Sequence, residues 1–228
     1  LGASSVTWGS TGSLDAVSSS GVSYVFSPST APTSGTITAT GGAGVTGDAT
    51  GTITVNVGST DYAIIQEAPG DGEAAVNAVG MSIDESLTLY SAGYDAEGNY
   101  TGPLSVTWGR TGTLDAVSGT GTSYVFNPQS GGTSGTITAT PGGGITADAT
   151  GTITVSNGSL HYVLIQSTPG DVSGSGVEFT THTMTADETV TLYAEGYDRY
   201  DNYLGASSVT WGSTGSLDAV SSSGVSYV

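Results

Sequence analysis

The chain contains no cysteine and no lysine. Without cysteine no disulfide can staple a small fold, so each folded unit must stand on its buried core, which units of about 100 residues can do. Without lysine, Schiff-base chemistry and lysine–asparagine cross-links are excluded. Arg110 and Arg199 are the whole basic complement against 20 acidic residues, a formal charge of −18. Nucleic acid is excluded as a partner, because phosphate neutralisation needs Lys or Arg, and anionic membrane surfaces are excluded on the same ground. No apolar run approaches the roughly 18 residues of a spanning helix, so no membrane insertion is expected in this segment. Of the two histidines, His161 stands where an internal copy has Asp61 and His182 where it has Val79. No nucleophile-elbow motif surrounds the many serines. Asp71/Glu73 and Asp84/Glu85 sit on turns, not across a cleft as glycoside hydrolysis requires. The chain is expected not to be an enzyme.

Repetition is what the sequence has in abundance. Residues 1–25 recur unchanged as residues 204–228, a period of 204 − 1 = 203 residues. An imperfect copy occupies residues 104–125, with Arg110 for Ser10 and Thr122 for Val22. Trp8, Trp108 and Trp211 mark the same point in the three copies. Such self-similarity is the signature of an array. Two alternating unit types account for it. Residues 1–56 are the back part of a type A unit, 57–157 a complete type B unit, and 158–228 the front part of the next type A unit. Both ends then fall inside a unit, as in a polymer of which a little over one period is seen.

The 37 glycines and many Ser and Thr residues are interleaved with regularly alternating β-branched and aromatic residues, which indicates folded β structure. Short strands separated by turn residues predict an all-β sandwich. The first strand is 62–66 (YAIIQ), followed by a Pro-Gly-Asp-Gly turn, an apolar segment at 76–81 and a strand at 86–94 with Leu87 and Leu89 on one face. Leu104, Val106 and Trp108 then alternate inward. Two hairpins are expected, 113–117 with 123–127 and 135–140 with 145–155, the last an unbroken strand with Ile145, Ala147, Ala149, Gly151, Ile153 and Val155 on one face. That makes about seven strands around a core of Trp108, Leu87, Leu89, Val106, Ile137 and Ile153. A tryptophan on the third major strand fits an immunoglobulin-like sandwich lacking the usual inter-sheet disulfide.

The Gly-Tyr-Asp-x-x-Gly-Asn loop (93–99), the Val-Thr-Trp strand (106–108) and the Gly-Thr-Ile-Thr-Ala-Thr strand (135–140) resemble the bacterial immunoglobulin-like (Big) repeats of prokaryotic surface adhesins and fibre proteins. The resemblance covers the whole chain. It implies tandem immunoglobulin-like β-sandwiches in an extended array at the cell surface or outside the cell. The expected function is a structural repeat of an extracellular fibre, filament or adhesin stalk, whose partners are neighbouring copies or repeats of the same protein, end to end. The alternatives are a carbohydrate-binding accessory module of a secreted enzyme, and a filament subunit assembled by strand complementation.

One constellation could carry chemistry. Asp95, Glu97 and Asn99 put three oxygens on alternate positions of a tight loop, as hard cations need, and the other unit type has Asp198, Asp201 and Asn202. In an immunoglobulin-like topology this loop faces the preceding unit. Stacking would bring Asp71, Glu73 and Asp84 of one unit towards Asp198, Asp201 and Asn202 of the next, a candidate Ca²⁺ site. The competing reading is a Gly-Asn turn whose Asp and Asn satisfy backbone groups. Asn99 and Asn157 head N-x-Ser/Thr acceptors for glycosylation. Of the 12 tyrosines, most recur at equivalent strand positions, which points to packing; Tyr100, Tyr200 and Tyr203 are those that could face a sugar.

Overall fold

The structure, a computed structural model of the chain, describes residues 4–170 and 176–228, and these are all-β, with strands and turns and no helix. The first segment contributes β1 (Val6–Ser10), β2 (Ser18–Gly21), β3 (Thr33–Gly35), β4 (Ile37–Thr40), β5 (Asp48–Ala49) and β6 (Ile53–Val55). The central segment contributes β7 (Tyr62–Gln66), β8 (Val79–Ser82), β9 (Leu87–Tyr94), β10 (Tyr100–Pro103), β11 (Val106–Arg110), β12 (Thr120–Gly121), β13 (Ser123–Phe126), β14 (Thr133–Gly135), β15 (Ile137–Thr140), β16 (Asp148–Ala149) and β17 (Ile153–Ser156). The last contributes β18 (Tyr162–Gln166), β19 (Leu192–Tyr197), β20 (Tyr203–Ala206), β21 (Val209–Gly212), β22 (Ser221–Gly224) and β23 (Ser226–Tyr227). Every ladder stays within one of the segments 1–56, 57–157 and 158–228.

In the central segment, β9 is flanked by β7 on one edge and by β10 and β13 on the other. Facing this sheet, β11 lies between β12 and β15, with β16 beyond. Between the layers lies one core that includes Ile65, Met81, Leu89, Trp108, Leu114, Phe126, Ile137 and Ile153, with Leu87 and Leu104 packed against it. Trp108 is buried by the alternation of β11, and its indole Nε1–H donates to Gly121 O at 3.2 Å, so its polar atom is satisfied. Trp8 and Trp211 repeat the bond with Gly21 O at 3.2 Å and Gly224 O at 3.1 Å. Each tryptophan also lies against a tyrosine of its own copy, Tyr24, Tyr124 or Tyr227.

Two expected elements differ. Residues 113–117 form no strand. After Arg110 the chain turns at Gly112 (φ +67°), where a side chain would collide with Ser134 O, and returns beside β11 as β12 before passing to the other sheet as β13. The returning loop buries Leu114 and Val117. Ser123–Phe126 therefore pairs with β9, with no partner at 113–117. The long strand at 145–155 is broken into β16 and β17. At the break the Thr150 hydroxyl accepts the Ile137 N–H at 3.0 Å, and Gly151 N–H donates to Val76 O at 3.0 Å. A Cβ on Gly151 would come within 2.5 Å of the Ala78 nitrogen, so only glycine allows this approach. A register shift of one residue reverses every side chain. Accordingly Ile153 and Val155 are buried while Ala147 and Ala149 are exposed, and Thr150 turns inward.

The two pieces of this broken strand close the sandwich. β17 runs parallel to β8, pairing Ile153 with Val79 and Val155 with Met81. On the other side of the break, Ala63 N–H donates to Thr146 O at 3.0 Å and Ile65 N–H to the Asp148 carboxylate at 2.6 Å. Trp108→Ala should cost about 3–5 kcal/mol of stability, the usual range for truncating a core tryptophan. Chemical denaturation checks this, and an unchanged unfolding midpoint would place the indole outside the core.

Candidate functional site

Asp95 sits where β9 ends, and the following turn folds back on its carboxylate. Oδ1 accepts the Glu97 N–H (3.2 Å) and the Asn99 N–H (2.8 Å), and the Asn99 side-chain amide donates to both oxygens at 3.0 Å. Oδ2 also takes the Gly58 N–H at 2.9 Å, which ties the loop to the start of the segment. Asp198 repeats the arrangement with Tyr200 N–H, Asn202 N–H, the Asn202 amide and Gly158 N–H at 2.9–3.0 Å. Both carboxylates are buried. Gly98 supplies the positive φ (+87°) that the turn needs. Its counterpart Asp201 adopts φ 65° and accepts a 2.6 Å bond from the Tyr162 hydroxyl. That bond, together with burial and the Asp201 charge, raises the Tyr162 hydroxyl to about 12.

The loop then reaches the preceding segment. Asn99 Oδ1 accepts the Ala31 N–H at 2.9 Å, and its Nδ2 donates to Ser29 O at 3.0 Å. Asn202 makes the same pair of contacts with the central segment, with Gly131 N–H at 3.3 Å and Gln129 O at 2.8 Å. The receiving loop is itself held by a carboxylate. Asp15 accepts the N–H groups of Ser29 and Thr30, and Asp115 those of Gln129 and Ser130. Each joint is thus two carboxylate-pinned loops meeting through one asparagine. The second joint adds a lateral contact. Asp84 accepts the Ser159 N–H at 2.7 Å and lies 3.5 Å from Arg199, whose guanidinium also donates to Ile83 O at 2.8 Å.

This geometry answers the candidate residues one by one. Asp95 with Asn99, and Asp198 with Asn202, come together, but as acceptors and donors for their own loop and its neighbour. Glu97 is exposed and offers only its N–H to Asp95. Asp84 reaches the following segment as expected, yet it meets Arg199 and a backbone amide there. Asp71 and Glu73 do not join it, and among the described residues no three acidic or histidine side chains assemble as a metal ion would need. A Ca²⁺ takes six to eight oxygens, whereas these carboxylates already accept N–H groups. The amide nitrogens of Asn99 and Asn157 are likewise engaged, the latter with Tyr203 O at 2.9 Å, so a glycan would have to break a bond at each. Of the tyrosines, Tyr62, Tyr94 and Tyr100 pack on one another, as do Tyr162, Tyr197 and Tyr203. Tyr200 alone of the three sugar candidates is exposed, under the Arg199 guanidinium. His161 and His182 are exposed beside Tyr162 and Phe179.

Sequence reasoning missed Asp15 and Asp115, although both belong to the repeated Leu-Asp-Ala-Val motif. It also missed Gly58 and Gly158, whose N–H groups reach these carboxylates from the stretches that precede β7 and β18. Among the described residues no helix is long and apolar enough to cross a membrane. The chain matches no family model, no curated protein and no solved structure.

Hydrogen bonds from the Thr30 side chain and from the Ser29 and Thr30 backbone hold the Asp15 carboxyl down to about 2, and those from Asn99, Gly58 and Glu97 hold Asp95 below its usual value. Burial pushes Asp198 up, but the Gly158, Tyr200 and Asn202 donors outweigh it. A carboxyl lowered by folding stabilises the fold above its unfolded pKa of about 3.9 and loses that contribution as pH falls through the folded value. Stability should therefore hold as pH drops from 7 towards 4, where self-repulsion also eases, and fall between about pH 4 and 2. Thermal melts across that range check it. At pH 7, Asp95→Ala should lower the Tm clearly more than Glu97→Ala. At matched ionic strength Ca²⁺, Mg²⁺ and NaCl should raise the Tm equally where these loops act as turns; a rise specific to Ca²⁺ would favour the metal reading.

Proposed function

We propose that the chain is a structural repeat of an extracellular fibre or adhesin stalk, built from immunoglobulin-like sandwiches of the bacterial surface type, with a mechanical and not a catalytic role. The observation that carries this reading is that one joint is built twice with the same atoms: Asn99 against Ser29 and Ala31, and Asn202 against Gln129 and Gly131. A joint that repeats with the sequence period can propagate, and a heterologous contact that does not close generates a filament. The asparagine bonds to main-chain groups, so the contact tolerates sequence change between unit types while fixing their relative orientation.

The charge suits this role. Twenty acids on one chain keep parallel fibres apart and protect sheet edges from lateral growth. The carbohydrate-binding alternative needs a row of free aromatic faces, and most tyrosines are engaged in packing.

Electron microscopy of assembled material tests the proposal. It should show rods with an axial repeat of roughly 70–90 Å per 203 residues, from two sandwiches whose longest strand, β9 with 8 residues, spans about 26 Å at about 3.3 Å per residue and is flanked by loops at both ends. Compact particles that neither extend nor repeat would contradict it. Asn99→Ala with Asn202→Ala should leave each sandwich folded but make the rods visibly more flexible.

A further inference from the structure

Ile65 and Leu89 point from β7 and β9 into the core, so strand alternation puts Gln66, Tyr90, Ala92 and Tyr94 on the opposite face of that sheet. The loop at residues 67–75 folds over this face. Gln66 Nε2 donates to the Tyr94 hydroxyl at 2.6 Å and to Glu73 O at 3.4 Å, and the Gly72 N–H reaches the same hydroxyl at 3.4 Å. Between loop and sheet lies a cavity of about 170 Å³, whose wall includes Gln66, Pro69, Gly70, Ala92, Tyr100 and Pro103. Its whole lining belongs to the central segment. Gln66 is 1% exposed, yet its Oε1 has no hydrogen-bond partner among the described residues. The Gly70 N–H and the Tyr100 hydroxyl make no hydrogen bond among the described residues either.

The other unit type shows what such a site holds. β18 and β19 pair as β7 and β9 do, with Gln166 opposite Tyr193 and Leu164 opposite Glu195. Glu195 therefore stands where the central segment has Ala92. Its carboxylate is buried and accepts the Gly170 N–H at 3.0 Å and the Tyr203 hydroxyl at 2.7 Å. Gly170 follows Pro169 as Gly70 follows Pro69, and Tyr203 pairs with Tyr197 as Tyr100 pairs with Tyr94. Both units thus carry the donors, and only one supplies the acceptor from its own chain. Beyond its Cβ, glutamate adds a methylene and a carboxylate, the skeleton of acetate. Ala92 leaves that space and those donors behind.

We propose that the cavity under residues 67–75 binds a small carboxylate, whose oxygens take the Gly70 N–H and the Tyr100 hydroxyl as Glu195 takes their counterparts. Hydrogen bonds to an ionised acceptor are roughly twice as strong as neutral ones. Pro69, Pro103 and the tyrosine rings suit the carbon skeleton. A cavity of about 150 Å³ accepts a benzene ring, so the carrier can be larger than acetate, up to a single ring. The chain's charge of −18 opposes any anion. That field is screened beyond about 8 Å at physiological ionic strength, and Glu195 is held within it all the same. Glu73 is the acid beside Gly70, its Cγ 3.5 Å from where a Cβ would stand. The site goes beyond the fibre reading and does not depend on it.

Amide NMR of the full chain at pH 7, titrated with sodium acetate against sodium chloride at equal ionic strength, tests the proposal. The Gly70 amide resonance should shift saturably with acetate and not with chloride. Tyr100→Phe should weaken binding about tenfold, as the loss of a bond to a charged group does. Ala92→Glu should supply the missing carboxylate, so that the Gly70 amide is shifted before any addition and acetate no longer moves it. Tyr100→Phe decides the matter even where Ala92→Glu fails to fold. Propionate and a capped Gly-Glu-Gly peptide separate the sources of the carboxylate. Tighter binding of the peptide assigns the site to an acidic side chain of a partner, and tighter binding of propionate to a free acid; both uphold the proposal. An unsaturable response, acetamide binding as tightly as acetate, or binding indifferent to Tyr100→Phe overturns it.

Discussion

Closure of the sandwich by its last strand is the interaction on which the rest of the structure depends. β17 covers the Val79–Ser82 edge and β16 the Tyr62–Gln66 edge, and only with both in place are Ile65, Met81 and Leu114 removed from water. Short strands of three or four residues, rich in Gly and Thr, have little stability of their own. Their order comes from the shared core. Trp211 repeats the indole bond of Trp108 and is buried like it.

The acidic residues divide into two populations with different physics. Most are solvated and contribute repulsion that salt screens. Asp95, Asp198 and Glu195 are buried, and Asp15 and Asp115 are loop anchors; the four aspartates accept clusters of N–H donors, and Glu195 accepts the Gly170 N–H and the Tyr203 hydroxyl. A carboxylate fits this task because it can accept several charge-assisted hydrogen bonds at once, where a neutral side chain accepts fewer and weaker ones. With only two arginines available, backbone amides are the main counter-groups the chain has for buried negative charge. The joints inherit their geometry from these anchors, since the bridging asparagine is bonded to the same carboxylate that shapes its turn.

Sequence periodicity was a sound guide wherever local pattern and tertiary partner agreed. The strand at 62–66, the inward alternation of Val106 and Trp108, and five of the six expected core residues stand in the structure, with Leu87 half-buried against them. It failed at residues 113–117, whose alternating look conceals a loop that turns at Gly112 and returns to the same sheet, and at 145–155, where Thr150 and Gly151 break a strand of even period. In both places the deciding partner lies far along the chain: Ser134 for the first, Val76 and Ile137 for the second. The Asp-x-Glu-x-Asn spacing was equally ambiguous, because alternating oxygens serve a cation or a turn alike. What separates the two is the amide of Gly58 and the loop at residues 29–31, which no local pattern announces.

The central claim is that β16 and β17 hold the sandwich of residues 57–157 closed. Amide hydrogen exchange addresses it most directly. The N–H groups of Ala63 and Ile65 bond to Thr146 and Asp148, and that of Val79 to Thr152. Their exchange should be as slow as that of the Trp108 amide in β11 and should quicken together on Gly151→Val. Exchange at these positions that is already fast, or that the substitution leaves unchanged, would contradict the account.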